Sequence, residues 1–218
     1  MRWMSFAAAL AATLVAALTS MNATAMPATP SSDFTPCPDA TTGPLAGSLC
    51  TVARSPLRHG DPASGDIEVF VRRFPAIGVS RGDVWLVAGG PGEAGAGFYG
   101  LIDRFRTAFP EYDLIVPDHR GTGQSSRVCV AEEAADSLGG RGLEGAEWGA
   151  CFGQLQARSP WVQSFTITNA AHDLGGLIAR YSAGRETWVY GVSYGTQLVL
   201  RMMTVAPQTS VEGIVLDS

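Results

Sequence analysis

"TWVYGVSYGTQLVL", residues 187–200, contains the turn on which the reading of this chain depends. Thr187 to Val192 reads as a strand, and the residues from Tyr194 to Ala206 read as a helix that ends before Pro207. Between them, Gly191 to Gly195 spells Gly-x-Ser-x-Gly, a pattern associated with nucleophilic serines. The same pattern occurs as GVSRG at Gly78 to Gly82. With 26 glycines in 218 residues, a chance match is expected in roughly one of four such chains, so context has to separate the two serines. Ser80 follows the strand-breaking Pro75 and precedes the apolar run DVWLVA, which places it in a turn between two strands. Ser193 leaves a strand and opens a helix, the arrangement of a nucleophile elbow. The sharp turn holds the hydroxyl out at the end of the sheet, and Gly191 and Gly195 remove side chains that would collide there. The start of the helix also brings its positive dipole end to developing negative charge. Ser193 is the candidate nucleophile.

Three β-like runs lie upstream, Leu49 to Ala53, Ile67 to Phe74 and Val84 to Ala88, and a fourth, DLIVPD, spans Asp113 to Asp118. Helices are predicted near Gly97 to Phe109 and Asn169 to Tyr181, with weaker signals at Val130 to Leu138 and Trp148 to Ala157. GIVLD, Gly213 to Asp217, reads as a last strand. Strands alternating with helices predict an α/β fold, a mostly parallel sheet with flanking helices. A serine nucleophile also needs hydrogen-bond donors for an oxyanion. One is the N–H after the serine, at Tyr194, and the other comes from the loop after the third strand, here AGGPG. Gly90 N–H is the second predicted donor, with Gly89, Pro91 and Gly92 shaping that active-site loop.

The chain opens Met1-Arg2-Trp3, continues with an apolar run from Phe6 to Leu18, and reaches Ala23-Thr24-Ala25. A short positive start, an apolar core too short to span a bilayer and an A-x-A site predict a signal peptide cleaved after Ala25, with an uncleaved anchor as the competing reading. The mature chain, residues 26–218, is then secreted or periplasmic, with no membrane partner after cleavage. Residues 26–44 read as an exposed leader pinned by Cys37. An exported chain with four cysteines suggests two disulfides, and sequence allows three connectivities, the short-loop pairs Cys37 with Cys50 and Cys129 with Cys151 being preferred. Net charge is −5, and all 15 basic residues are arginines with no lysine run anywhere, which argues against nucleic acid as a partner. Metal and cofactor are not implied; the expected chemistry needs only side chains and backbone donors.

GGPG, then DHRGTGQSS, then GVSYGTQL and VLD, in that order, resemble the α/β-hydrolase peptidases of the proline iminopeptidase and secreted tripeptidyl aminopeptidase group, over roughly Cys50 to Ser218. The resemblance implies an α/β-hydrolase fold and a secreted serine aminopeptidase, prolyl or tripeptidyl in type, with a peptide substrate and an acyl-enzyme at Ser193. It also supports the local cysteine pairs, which exported members commonly carry. Ala88, where this group usually has His or Pro, and Glu93, where glycine is common, depart from the pattern. Glu93 is read either as a receptor for a substrate ammonium or as a favourable carboxylate at a helix N-terminus. Asp118 and Arg120 are expected to scaffold the rim of the site. In this fold the triad runs Ser, acid, His, whereas His59, His119 and His172 all precede Ser193. The triad histidine is therefore expected beyond Ser218, and Asp217 is a structural residue rather than the acid. The chain is expected to be the N-terminal portion of a longer hydrolase, ending after about the sixth strand and inactive alone. An esterase or other acyl hydrolase and a non-catalytic fragment are the competing functions, and the oligomeric state is not legible.

Overall fold

The computed structural model describes residues 33–218; the expected signal segment, residues 1–25, lies outside them. One sheet contains seven strands: β1 (Thr35–Pro36), β2 (Leu49–Arg58), β3 (Asp61–Phe74), β4 (Gly82–Val87), β5 (Tyr112–Pro117), β6 (Glu186–Val192) and β7 (Gly213–Asp217). Their order across the sheet is β1-β2-β3-β5-β4-β6-β7. The pairs from β1 to β5 are antiparallel, and β5, β4, β6 and β7 run parallel. The helices are α1 (Ile102–Ala108), α2 (Glu147–Ala157), α3 (Ser159–Val162), α4 (Ile167–Tyr181) and α5 (Tyr194–Val205).

Parallel strands covered on both faces read as continuous apolar runs, and β4 is buried along its whole length. Its side chains alternate between two cores. Trp85 and Val87 pack with Ile115, Val189 and the inner faces of α4 and α5, whereas Val84 and Leu86 pack with Leu114, Phe98 and Ile102 on the other side. α4 begins at Thr166, whose side chain accepts the Asn169 N–H, and it buries Ala171, Leu174, Leu177 and Ile178 at helical spacing. The ends of the strands away from Ser193 are held by buried charges. Arg73 binds Asp113 at 2.9 Å, and Arg185 binds Asp83 at 2.9 Å and Asp113 at 3.1 Å. Burial raises the Asp83 pKa, against the lowering effect of the Arg185 hydrogen bond.

Both preferred disulfides are formed, Cys37–Cys50 and Cys129–Cys151. Residues 33–44, mostly exposed and tied by the Cys37–Cys50 bond, also reach the sheet: β1 pairs with Leu49 and Cys50 of β2, and the Phe34 ring meets Tyr181 edge-on at 5.0 Å. One sequence expectation is corrected. Val130 to Leu138 forms turns instead of a helix. There Glu133 accepts the Cys129 N–H through its side chain and pairs with Arg127, and Gln154 donates to Glu132 from α2, side-chain contacts that override a weak helical preference. Among the described residues, no helix is long and apolar enough to cross a membrane.

Candidate active site

Ser193 joins β6 to α5 with φ 52° and ψ −118°, and among the described residues it is the one non-glycine residue with positive φ. Such a conformation costs on the order of 1–3 kcal/mol and persists only where neighbours over-determine it. They do so here. The Ser193 N–H donates to Asp217 O at 2.7 Å, and its carbonyl accepts the Thr196 N–H at 2.9 Å and the Thr196 hydroxyl at 2.6 Å. The glycines of the pattern answer close approaches rather than unusual dihedrals. A Cβ on Gly191 would lie 2.7 Å from Gly195 O, and one on Gly195 would run into the carbonyl oxygens of Val87 and Ala88 at the end of β4. The Ser193 side chain is exposed, and its Oγ has no hydrogen-bond partner among the described residues.

The AGGPG loop lies directly against it. A Cβ on Gly89 would come within 3.1 Å of Ser193 Cβ, so only glycine lets this backbone come so near. Gly90 has φ 40°, and the turn is closed by the Glu93 N–H donating to Gly90 O at 3.1 Å. Neither the Gly90 N–H nor the Tyr194 N–H has an acceptor among the described residues. Gly90, Pro91, Ser193 and Tyr194 line one open cleft of about 610 Å³. The sequence-selected residues Ser193, Gly89, Gly90, Pro91 and Tyr194 thus come together. Gly92 lies on the far side of the loop, where nothing comes within 4 Å of a Cβ built on it.

Asp118 fixes this loop from behind. Its carboxylate accepts the Gly95 N–H at 2.7 Å and the Gln124 N–H at 2.8 Å, with burial pushing its pKa up against those bonds. Arg120 is a hub further back. It donates to both oxygens of Asp173 at 2.7 Å and to the carbonyls of Pro56, Leu57 and Ser164, tying the β2–β3 hairpin to α4. The Glu93 side chain folds back beneath Gly90, with Oε2 3.4 Å from where a Gly89 Cβ would stand. With Asp217 it borders an apolar cavity of about 300 Å³ walled by Phe98, Phe105 and Tyr190. Asp217 accepts the Tyr190 hydroxyl at 2.5 Å, and burial, then that bond, pushes the Tyr190 pKa up to about 12.

The histidines do not serve Ser193 in this arrangement. His119 is buried, its Nε2 lies 3.3 Å from Pro91 O, and its ring sits 5.8 Å from that of Tyr194. His59 and His172 stack at 5.0 Å. Ser55, His59 and Asp173 form a constellation that imitates a catalytic triad, which sequence reading had missed. A single ring nitrogen, His59 Nε2, faces both Ser55 Oγ at 3.4 Å and Asp173 Oδ1 at 2.7 Å. Ser55 also donates directly to Asp173, and Asp173 is occupied by Arg120, so no proton relay from serine through imidazole to carboxylate exists there.

Sheet order, the strand-to-helix turn at Ser193 and the flanking helices together give the α/β-hydrolase fold. The sequence matches no family model and no curated protein. Among solved structures, the chain is similar to the epoxide hydrolase of Aspergillus niger, with TM-score 0.49 and 13% identity over 80% of this chain and 35% of that one. It is also similar to a thermophilic esterase from Thermogutta terrifontis, with TM-score 0.45 and 19% identity over 76% of this chain and 44% of that one. The chain spans less than half the length of these proteins. Likeness at this level is one of backbone course and carries no chemistry across.

Proposed function

We propose that the protein is a serine hydrolase acting through Ser193, and that its reaction is the release of short peptides from peptide N-termini. The observation that carries the first part is the one serine among the described residues that is strained, exposed and without a partner for its Oγ, facing a glycine loop whose Gly90 N–H has no acceptor there. In the proposed reaction Ser193 Oγ attacks the scissile carbonyl, and the N–H groups of Gly90 and Tyr194 receive the oxyanion. Collapse releases the amine and leaves an acyl-enzyme, which water then hydrolyses. One oxyanion donor is typically worth about 2.7–4 kcal/mol of barrier. A general base is required as well, and among the described residues no imidazole is hydrogen-bonded to Ser193 Oγ. The peptidase part of the proposal is supported by the resemblance of the GGPG, DHRGTGQSS and GVSYGTQL segments.

The experiment is fluorophosphonate labelling of the protein as secreted, followed by turnover of N-terminal amide substrates and simple esters. The expected outcome is a labelled band that vanishes in Ser193→Ala, with amides of short peptides turned over. Turnover of esters alone would replace the peptidase with an esterase, and absence of Ser193-dependent labelling would leave a non-catalytic hydrolase fold.

A further inference from the structure

The oxyanion loop has a second side. Gly90 and Pro91 face the Ser193 cleft, whereas Gly92 and Ala94 wall a separate cavity of about 320 Å³. Three arginines line it, Arg72, Arg127 and Arg141, against two carboxylates, Asp39 and Asp118. In formal charge the three arginines are balanced by Asp39, Asp118 and Glu133, but the pairing leaves one guanidinium without a carboxylate partner among the described residues. The oxygens of Asp118 are taken by the backbone N–H groups of Gly95 and Gln124. Arg127 is matched by Glu133, at 2.6 Å. Arg72 is 1% exposed, gives one nitrogen to both oxygens of Asp39 and another to Ser48 Oγ, and lies 4.8 Å from the Tyr99 ring centre. Its Nε is buried with no partner. Arg141 is exposed, donates one bond to Gly123 O at 3.0 Å, and makes no ion pair among the described residues.

An orphaned buried donor calls for an unseen water or ion, and a guanidinium carries five N–H donors in a plane. Guanidinium groups bind planar carboxylates in bidentate fashion. Two resident carboxylates disfavour a multiply charged anion such as phosphate, because like charges close together repel. We infer that the cavity behind Gly92 is a binding site for a carboxylate monoanion, with Arg141 as its principal partner and the buried Arg72 guanidinium behind it. Since the cavity shares its wall with the Ser193 cleft, the carboxylate belongs either to the acidic part of a substrate reaching around Pro91 or to a free organic acid. Binding itself does not depend on Ser193 being a nucleophile.

The test is calorimetric titration of the native protein with monomethyl succinate at constant ionic strength, with neutral dimethyl succinate as control, repeated on Arg141→Gln. The expected result is saturable binding of the monoanion alone, weakened about tenfold in the variant, the loss of one charge-assisted contact. No binding, or equal binding by the variant, overturns the site. Two substrates differing only in a free or methylated carboxylate then locate the source. A fall in the acid-to-ester ratio of kcat/KM in Arg141→Gln assigns the carboxylate to substrate, and an unchanged ratio with weakened titration assigns it to a free acid. Because the titration is read without turnover, its failure is distinct from loss of fluorophosphonate labelling, which would remove the hydrolase proposal and leave the binding site standing.

Discussion

Ser80 and Ser193 occupy the same five-residue pattern, yet one hydroxyl is bound on both sides and the other is free. Ser80 Oγ donates to Gly82 O at 2.9 Å and accepts from Arg185 at 2.7 Å, inside the charged cluster that closes one end of the sheet. Ser193 stands at the opposite ends of the same strands, where β6 gives way to α5, with no bond to its Oγ among the described residues. The glycines differ as well. Gly78 has φ 99° with nothing near a Cβ, so it serves only the turn, whereas Gly195 lies against the backbone of β4. Two glycines around a serine therefore permit a tight turn anywhere. Only the passage from a buried strand into a helix strains the serine and turns its hydroxyl outward.

The sharpest way to break this comparison is by activity. Ser193→Ala is expected to abolish fluorophosphonate labelling and reduce turnover by at least about 10³-fold, with Ser80→Ala still labelled. Equal labelling of both variants would remove the distinction. Gly195→Ala comes next, with an expected loss of about 3 kcal/mol or more because a methyl would meet carbonyl oxygens of packed backbone. Gly78→Ala loses only about 1–2 kcal/mol for its left-handed φ, and urea midpoints of the two variants compare them. The ranking then reverses between the serines. Ser80→Ala costs about 1 kcal/mol, since it removes bonds to Arg185 and Gly82, whereas Ser193→Ala stays within about 0.5 kcal/mol of the parent, by the same denaturation.

The smallest effect concerns His119, beside the loop that faces Ser193. Burial holds its imidazole below the ordinary value of 6.5, against the raising effects of the Pro91 carbonyl and Asp118. A depressed pKa means that the unfolded chain takes up the proton first. Stability from the neutral ring is complete above pH 6.5 and is lost as pH falls from there through the folded-state value. Urea midpoints at neutral and mildly acidic pH are expected to drop more for the parent than for His119→Asn. Parallel pH profiles would contradict that assignment.

The legible parts of the molecule are those specified by neighbours along the chain. β4 and β5 were readable because strands covered on both faces carry long apolar runs, and α4 because its inner face repeats at helical spacing. The long β2–β3 hairpin was read short at both inner ends. Its outer half, with Pro62, Ser64 and Gly65, has little strand character and is held by pairing, not preference. Arg72 and Arg73, adjacent charges within the apolar run VFVRRF, were the available signal that buried ion partners exist.

By itself, then, the sequence determined the strand-to-helix elbow at Ser193 and the glycine loop meant to face it, both set within short stretches of chain, while it left three cysteine connectivities open for the structure to decide. Tertiary structure decided what crosses the fold. It clamps Arg120 on Asp173, 53 residues away, gathers Arg72, Arg127 and Arg141 around one cavity, and makes Ser55, His59 and Asp173 a structural cluster and not a triad. Local pattern sets backbone conformation over a few residues, whereas the partner of a buried charge is whatever group the packed sheet brings within hydrogen-bond reach.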